Sequence, residues 1–137
     1  MVSGIHVAKY TMISLFQAVL LLNALFFLFY GIQCLASQTM VSEFERFRLH
    51  DSQRVLTGVL QLFASAGLAA GLIFPAIGAL ASGGLALMML VAFLVRIRVG
   101  DGVIQSAPSL FFLVLNAWLS VSFVAMMQAA PAITEAL

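Results

Sequence analysis

Seven polar residues inside long apolar stretches are the residues of this sequence best suited to bind a ligand. Within each of three stretches they are spaced by helical repeats, so that each group falls on one helix face. Polar groups in hydrocarbon seek one another, and we expect the three faces to converge inside a bundle. The candidate residues are Asn23, Tyr30, Cys34, Gln61, Ser65, Asn116 and Ser120.

Two interpretations of these seven residues are open. In the first, they form interhelical hydrogen bonds, each worth on the order of 1 kcal/mol or less. In the second, they form the polar end of a cavity that accepts the head of a lipid or a quinone. We favour the first interpretation at this point.

A second candidate site is a group of arginines next to the apolar stretches. Arg54, Arg96 and Arg98 are expected at one membrane level, because the start of one helix and the end of its antiparallel neighbour meet at one face. In one interpretation they are snorkelling anchors that fix the depth of the helices. In the other they bind an anionic headgroup, and Asp101 closes the site through a salt bridge to Arg54 or Arg98.

Four stretches without Asp, Glu, Lys or Arg must position these side chains, and each is 19 to 24 residues long. About 20 helical residues cross a hydrocarbon core of ~30 Å, and the stretches lack the alternation of barrel strands. We therefore predict an all-α, four-transmembrane-helix bundle with a short interfacial helix between helices 1 and 2, as a single domain over residues 1–137. The predicted spans are Met12–Leu35, Val55–Phe74, Ala76–Val95 and Ser109–Met127.

Composition supports a membrane protein and excludes several function classes. The chain is 64% hydrophobic and 8% charged, whereas soluble domains are about 45–50% apolar and about 25% charged. The net charge is +1 and the arginines are interleaved with carboxylates, so no nucleic-acid partner is expected. One cysteine excludes an internal disulfide and a cysteine-cluster metal site. The spans hold no carboxylate pair and no catalytic motif, so we expect no catalytic site, no metal site and no self-contained catalyst.

The segment between the first two spans predicts a helix of its own. Ser42 and Glu45 have the S-x-x-E spacing of a capping box, which predicts that a helix begins at Ser42. Apolar residues alternate there with charged ones, which favours a short helix lying in the membrane surface over a solvated connector. Asp51 or Ser52 is expected to cap the second span.

The second and third spans are predicted to pack directly on each other. Gly67 and Gly71 form a G-x-x-x-G pattern, and the third span is rich in Gly, Ala and Ser. Small residues let helices approach closely in lipid, and the short link at Pro75 makes the two helices antiparallel neighbours. We therefore expect these glycines to serve packing within the chain.

The arginines also predict the orientation in the membrane. Five arginines lie in the two loops on one side and only Lys9 lies on the other. The positive-inside rule then places both loops in the cytoplasm and both termini on the non-cytoplasmic side. Pro131 is expected to end the last helix shortly after Met127.

Several segments together resemble the DoxX-like membrane proteins. The resemblance implies a small four-helix bundle of a kind common in bacterial membranes, hence a bacterial cytoplasmic membrane location. The wider group includes subunits linked to thiosulfate:quinone oxidoreduction, a membrane partner in a thiol-redox complex and a chaperone for receptor assembly. The resembling segments are Gly31–Leu35, Phe44–Leu49, Arg54–Leu62, Gly67–Leu72 and Arg96–Asp101.

The chain departs from the resembling family at two interior positions. Many relatives carry lysine where Cys34 stands and glutamate where Gln61 stands, so this chain lacks an intramembrane ion pair. The expected function is an accessory or assembly factor for other membrane proteins. The alternative is a lipid- or quinone-binding subunit that supports a redox partner. A small transporter ranks last, because no charged residue lies in a span. Membrane lipids, other membrane proteins and further copies of this chain are the expected partners, and lipid or quinone is the one cofactor class considered.

Overall fold

The computed structural model describes residues 2–136 and contains five α-helices in that range. The predicted all-α class is confirmed. Helices α1, α4 and the part of α5 up to Pro131 are long and apolar enough to cross a membrane. The helices are α1 (Val2–Ala36), α2 (Gln38–Arg46), α3 (Asp51–Ala70), α4 (Pro75–Arg98) and α5 (Val103–Ala136).

The predicted second span lies in α3, which is shorter and more polar than expected. Its 20 residues end at Ala70, so the last four residues of the predicted span lie in the turn before α4. Its first turn carries Asp51, Gln53 and Arg54, which lowers its mean hydropathy below that of the three other long helices. A helix of this length still runs about 30 Å.

The helix ends at both termini reach further than predicted. Helix α1 has 35 residues and begins at Val2, ten residues before the predicted span, so it is roughly 52 Å long. The expectation that Pro131 ends the last helix is wrong, because α5 continues to Ala136 with Pro108 and Pro131 inside it. A proline removes one backbone donor, and a long helix retains its other hydrogen bonds.

The short helix between the first two long ones exists, but both predicted caps are wrong. Helix α2 begins at Gln38, and the Ser42 hydroxyl donates a hydrogen bond to the Gln38 carbonyl (3.2 Å) from inside the helix. The break after α1 at Ser37 starts α2 one turn before the S-x-x-E signal. Helix α3 has His50 at its N-cap, whose backbone N–H donates to the Gln53 side chain (2.8 Å).

The core lies where the four long helices meet. Helix α1 packs on α3, α3 on α4, and α4 on α5. Leucines and phenylalanines from all four helices fill the centre, where each excludes water almost completely. The cluster consists of Leu20, Ala24, Phe27, Leu68, Leu85, Leu119 and Phe123.

Glycines bring α3, α4 and α5 into close contact, which confirms the predicted packing within the chain. A Cβ added at Gly71 would lie 2.7 Å from the Gly78 Cα. A Cβ added at Gly78 would lie 2.5 Å from the Phe123 ring. These positions have no room for any side chain, so backbone meets backbone and an aromatic ring fills the remaining space.

Candidate ligand-binding site

One end of the bundle contains a cavity, which we call the arginine-end cavity. This end holds the five arginines of the chain, at α2, the start of α3 and the end of α4. The cavity has a volume of about 430 Å³, and all five helices contribute to its lining. Small-molecule sites in proteins typically measure about 300–1,000 Å³. The space therefore suits a small organic group.

Aromatic side chains from α1 and α5 form one wall of the arginine-end cavity. The Phe26 and Phe112 rings are stacked, with centroids 3.9 Å apart and planes 21° apart. The Tyr30 ring lies 4.4 Å from Phe26, and Tyr30 is 36% exposed. Opposite them α4 contributes mostly apolar side chains: Met88, Met89, Val91, Ala92 and Val95. A flat apolar group fits such a wall.

Gln61 contributes a polar side chain to the lining of the cavity. Its side chain lines the cavity from α3 and is 6% exposed. Its Oε1 atom accepts no hydrogen bond from any protein group in the described part of the chain. A buried acceptor without a partner costs free energy, so such atoms are usually satisfied. In the described residues Asn23 Oδ1 and Ser106 Oγ are buried without a partner as well, but neither residue lines the cavity. Because the free Gln61 atom is an acceptor, a ligand needs a hydroxyl or an N–H donor to pair with it.

Two buried asparagines lie one helical turn beyond the aromatic wall. The Asn23 Nδ2 donates to Asn116 Oδ1 (2.8 Å), and the Asn116 Nδ2 donates to the Phe112 carbonyl (2.8 Å). Both asparagines are almost completely buried. Their hydrogen bond joins α1 to α5 and holds the two helices at a fixed separation below the cavity.

Two serines among the seven candidates make hydrogen bonds between helices. The Ser65 hydroxyl on α3 donates to the Ala24 carbonyl on α1 (2.6 Å). The Ser120 hydroxyl on α5 donates to the Ala79 carbonyl on α4 (3.0 Å). Neither residue lines the arginine-end cavity.

The seven sequence candidates thus fall into two groups. Tyr30, Cys34 and Gln61 line the arginine-end cavity. Asn23, Ser65, Asn116 and Ser120 make hydrogen bonds between helices or within them. The sequence patterns place all seven on helix faces but do not separate one group from the other.

The three candidate arginines do not form one cluster. Arg54 is buried, where its guanidinium donates to the Cys34 carbonyl and pairs with Asp51 (2.6 Å). Arg54, in the first turn of α3, therefore provides a hydrogen-bond donor to a backbone carbonyl in the last turn of α1. Arg96 lines the cavity, and Arg98 is exposed at the end of α4.

Asp101 pairs with partners other than the expected ones. The expected bridge to Arg54 or Arg98 is wrong, because Asp101 accepts from Arg46 at 2.6 and 3.1 Å and from Arg96 at 2.9 Å. Both guanidiniums also lie over the Phe47 ring, whose centroid is 4.7 Å from the Arg46 Cζ and 5.2 Å from the Arg96 Cζ. We call these four residues the Asp101 cluster.

Asp101 and Arg46 lie outside the long apolar helices, and Arg96 reaches them from the last turn of α4. The hydrogen bond from Arg46, aided by Arg96, holds the pKa of Asp101 below its usual value. The same contacts raise the pKa of Arg46 further above its usual value. Sequence reasoning missed Arg46 and Phe47. Their signal was that the two arginine loops are predicted on the same membrane face and that each contains both arginines and carboxylates, which can pair across them.

The donor set of the cavity favours an uncharged organic ligand over a metal ion. In residues 2–136 no group of three His, Cys, Asp or Glu side chains could hold a metal. The polar groups around the cavity are an amide, a thiol, hydroxyls and two charged groups, Glu43 and Arg96, which are already paired to Arg46 at 3.1 Å and to Asp101 at 2.9 Å.

These features define a small all-α, multi-pass integral membrane protein with a cavity at one end of its bundle. Residues 18–120 match the DoxX-like family, and the chain belongs to that family. The match spans the second half of α1 to the middle of α5, and so includes every residue that lines the arginine-end cavity. No curated protein and no solved structure matches the chain.

Proposed function

We propose that this protein binds a neutral, membrane-soluble small molecule of the lipid or quinone type in the arginine-end cavity, as a subunit that supports a redox partner. The observation that carries the proposal is the Gln61 amide, which is buried, lines the cavity and lacks a partner for its oxygen. The aromatic wall of Phe26 and Phe112 suits a flat head that would sit against it.

The charges next to the cavity support a neutral ligand. Glu43 is paired with Arg46, and Arg96 is paired with Asp101. A charged ligand would have to displace one of these pairs, whereas a neutral ligand with a hydroxyl group, such as a lipid head or the reduced form of a quinone, needs only to donate to the Gln61 oxygen. Val91 lines the cavity and is 60% exposed on α4, so the cavity reaches the helix surface that would face lipid. A hydrophobic tail would leave the cavity there.

The proposed placement in the membrane uses all four long helices. Helix α3 completes a four-span bundle and α2 lies at the interface. The arginine end faces the cytoplasm of a bacterial cell and both termini face the other side, because five arginines lie at one end and Lys9 at the other. Of the three candidate headgroup ligands, Arg98 is exposed and suits contact with anionic lipid, while Arg54 and Arg96 are engaged in ion pairs with Asp51 and Asp101.

The test compares small molecules that co-purify with two leucine variants. The wild type, Gln61→Leu and the control Gln17→Leu, whose glutamine is exposed on α1, are purified in mild detergent from the same membranes. Native mass spectrometry then measures bound lipophiles. We expect about one neutral lipophile per wild-type chain, a loss of at least about tenfold in Gln61→Leu, and wild-type retention in Gln17→Leu. Equal retention in all three would contradict the proposal.

A second candidate function is the assembly of other membrane proteins. Its supporting observation is a groove on the outer faces of α4 and α5, lined by Leu80, Gly83, Gly84, Leu87, Ser120 and Val124. A Cβ at Gly84 would meet nothing within 4 Å, so a helix of another membrane protein or of a second copy could approach there. Gly84→Leu should abolish cross-linking to such a partner without lowering thermal stability. Unchanged cross-linking would reject this candidate.

A further inference from the structure

The geometry points to α2 as a latched lid, which closes the arginine-end cavity on the aqueous face and opens when the contact between Arg46 and Asp101 breaks. The inference rests on the proposed function for the identity of the ligand. The movement of α2 itself needs no ligand and is tested without one.

Helix α2 covers the cavity but is weakly anchored by apolar burial. Thr39, Met40, Glu43 and Phe44 line the cavity from its nine residues. None of the residues Gln38–Arg46 is buried. Helix α2 packs on α1 and α3, and among the described residues its polar contact with the α4–α5 half is the ion pair from Arg46 to Asp101. Closure of the cavity therefore depends on that ion pair.

The contact between Arg46 and Asp101, which we call the latch, is bidentate. Arg46 uses two nitrogens on the two oxygens of Asp101, which is the strong, directional arrangement of a guanidinium and a carboxylate. Asp101 is fixed in place because Gly100 has a φ of +81° and the Asp101 N–H donates to the Arg96 carbonyl (2.9 Å). Gly100 is thus a positioning residue for the latch.

The two ends of α2 have the properties of hinges. At one end a single residue, Ser37, separates α2 from α1. At the other end Arg48 has a φ of +58°, a left-handed conformation that is unfavourable for a residue with a side chain. The Phe47 ring, which the Arg46 and Arg96 guanidiniums both contact, keeps this turn against the end of α4. Release of the latch would relieve the strain at Arg48.

Opening of the lid would connect the interior of the cavity to water. Cys34 is buried, lines the cavity and is the one cysteine in the sequence. The head of a bound molecule beside Gln61 would then become accessible to a water-soluble partner on the arginine face. The natural thiol of Cys34 reports this opening without any engineered label site.

The test measures how fast a water-soluble maleimide labels Cys34 in the purified, full-length protein. The lid predicts that Asp101→Asn is labelled at least about tenfold faster than wild type, since the latch loses its charge-assisted bonds. Asp101→Glu retains the charge and should label within about twofold of wild type. Glu45→Gln is the matched control, because Glu45 is an exposed carboxylate on α2 whose side chain takes no part in the Asp101 cluster.

A second variant guards against misfolding of Asp101→Asn. Arg46→Gln leaves the bond from Arg96 to Asp101 intact, should elute as the wild type does and should also speed labelling. Unchanged labelling in both latch variants, or an equal increase in Glu45→Gln, would overturn the lid. Faster labelling of the latch variants together with no bound lipophile in the wild type would uphold the lid and reject the proposed ligand.

Discussion

The two ends of the bundle differ in how closely α5 packs on its neighbours, although glycines bring backbones together at both ends, with Gly31 against Gly58 at the arginine end. Between α3, α4 and α5, glycines bring backbones into contact and the Phe123 ring fills the remaining space. At the arginine end, the stacked rings of Phe26 and Phe112 lie between α1 and α5, and a cavity with an unpartnered amide oxygen remains. The tight contact around Phe123 and the candidate site are therefore separated along α4 and α5. Stability and binding should respond to different substitutions on these helices.

The largest effect is expected at the tightly packed end. Gly78→Ala should lower the free energy of unfolding by about 3 kcal/mol, because the new Cβ would lie 2.5 Å from the Phe123 ring. Gly84→Ala on the same helix is the control. Its Cβ would meet nothing within 4 Å, and alanine should stabilise the helix by about 0.5–1 kcal/mol. Equal effects of the two variants in denaturant titrations in detergent would remove the contrast between the two ends.

A smaller loss of stability is expected from substitution of the buried asparagines that join α1 to α5. Asn116→Leu leaves the Asn23 amide without its partner, and should cost about 1 kcal/mol. The double variant Asn23→Leu/Asn116→Leu should recover most of this loss, because no buried polar group is then left unpaired. A double-mutant cycle from unfolding titrations measures the coupling, and strictly additive losses would contradict it.

Replacing the Gln61 amide by leucine beside the arginine-end cavity should change the stability in the opposite direction. Gln61→Leu removes an amide whose oxygen already lacks a partner, so the ligand-free protein should be unchanged or more stable by up to about 1 kcal/mol. Thermal unfolding of ligand-free protein measures this change. A destabilisation as large as that of Asn116→Leu would mean that Gln61 is a structural residue like the two asparagines.

The smallest effect is the pH dependence of the Asp101 cluster. Arg46 and Arg96 face Asp101, Glu43 lies beside Arg46, and the pKa of Asp101 is lowered from 3.8. A carboxyl group whose pKa is lower in the folded protein than in the unfolded chain stabilises the fold at pH values above the unfolded pKa. This stabilisation is lost as the pH falls from the unfolded pKa through the lowered folded pKa. The difference in melting temperature between wild type and Asp101→Asn should therefore be constant from about pH 7 to 5 and shrink below about pH 4. A difference that vanishes near pH 6 would contradict the assignment.

The sequence predicted the long helices well, because apolar length alone selects α1, α4 and α5. It also predicted the close contact at Gly71, since close helix approach requires small residues. The start of α2 was not predictable, because the break at Ser37 begins the helix before the capping signal at Ser42. The contact between Arg46 and Asp101 joins residues 55 positions apart, and local patterns carry no information on such pairs.

The cavity was the least predictable feature of the site. Polar residues on helix faces suggested either hydrogen bonds or a ligand site, and the sequence offers no measure of the space between helices. The stacked rings of Phe26 and Phe112 lie between α1 and α5 beside that space, and one turn away Asn23 Nδ2 donates to Asn116 Oδ1, although the Asn23 oxygen itself accepts no hydrogen bond. Gln61 is left without such a partner on the neighbouring helix.

The most direct test of the account is to fill the arginine-end cavity. Ala92 lines the cavity on α4, and Leu94 on the same helix is exposed. We predict that Ala92→Phe loses at least about tenfold of the lipophile that co-purifies with the wild type, with an unchanged or higher melting temperature, while Leu94→Phe retains it. Full retention of the lipophile in Ala92→Phe would contradict the account, and a lower melting temperature would mean that the space is not there to be filled.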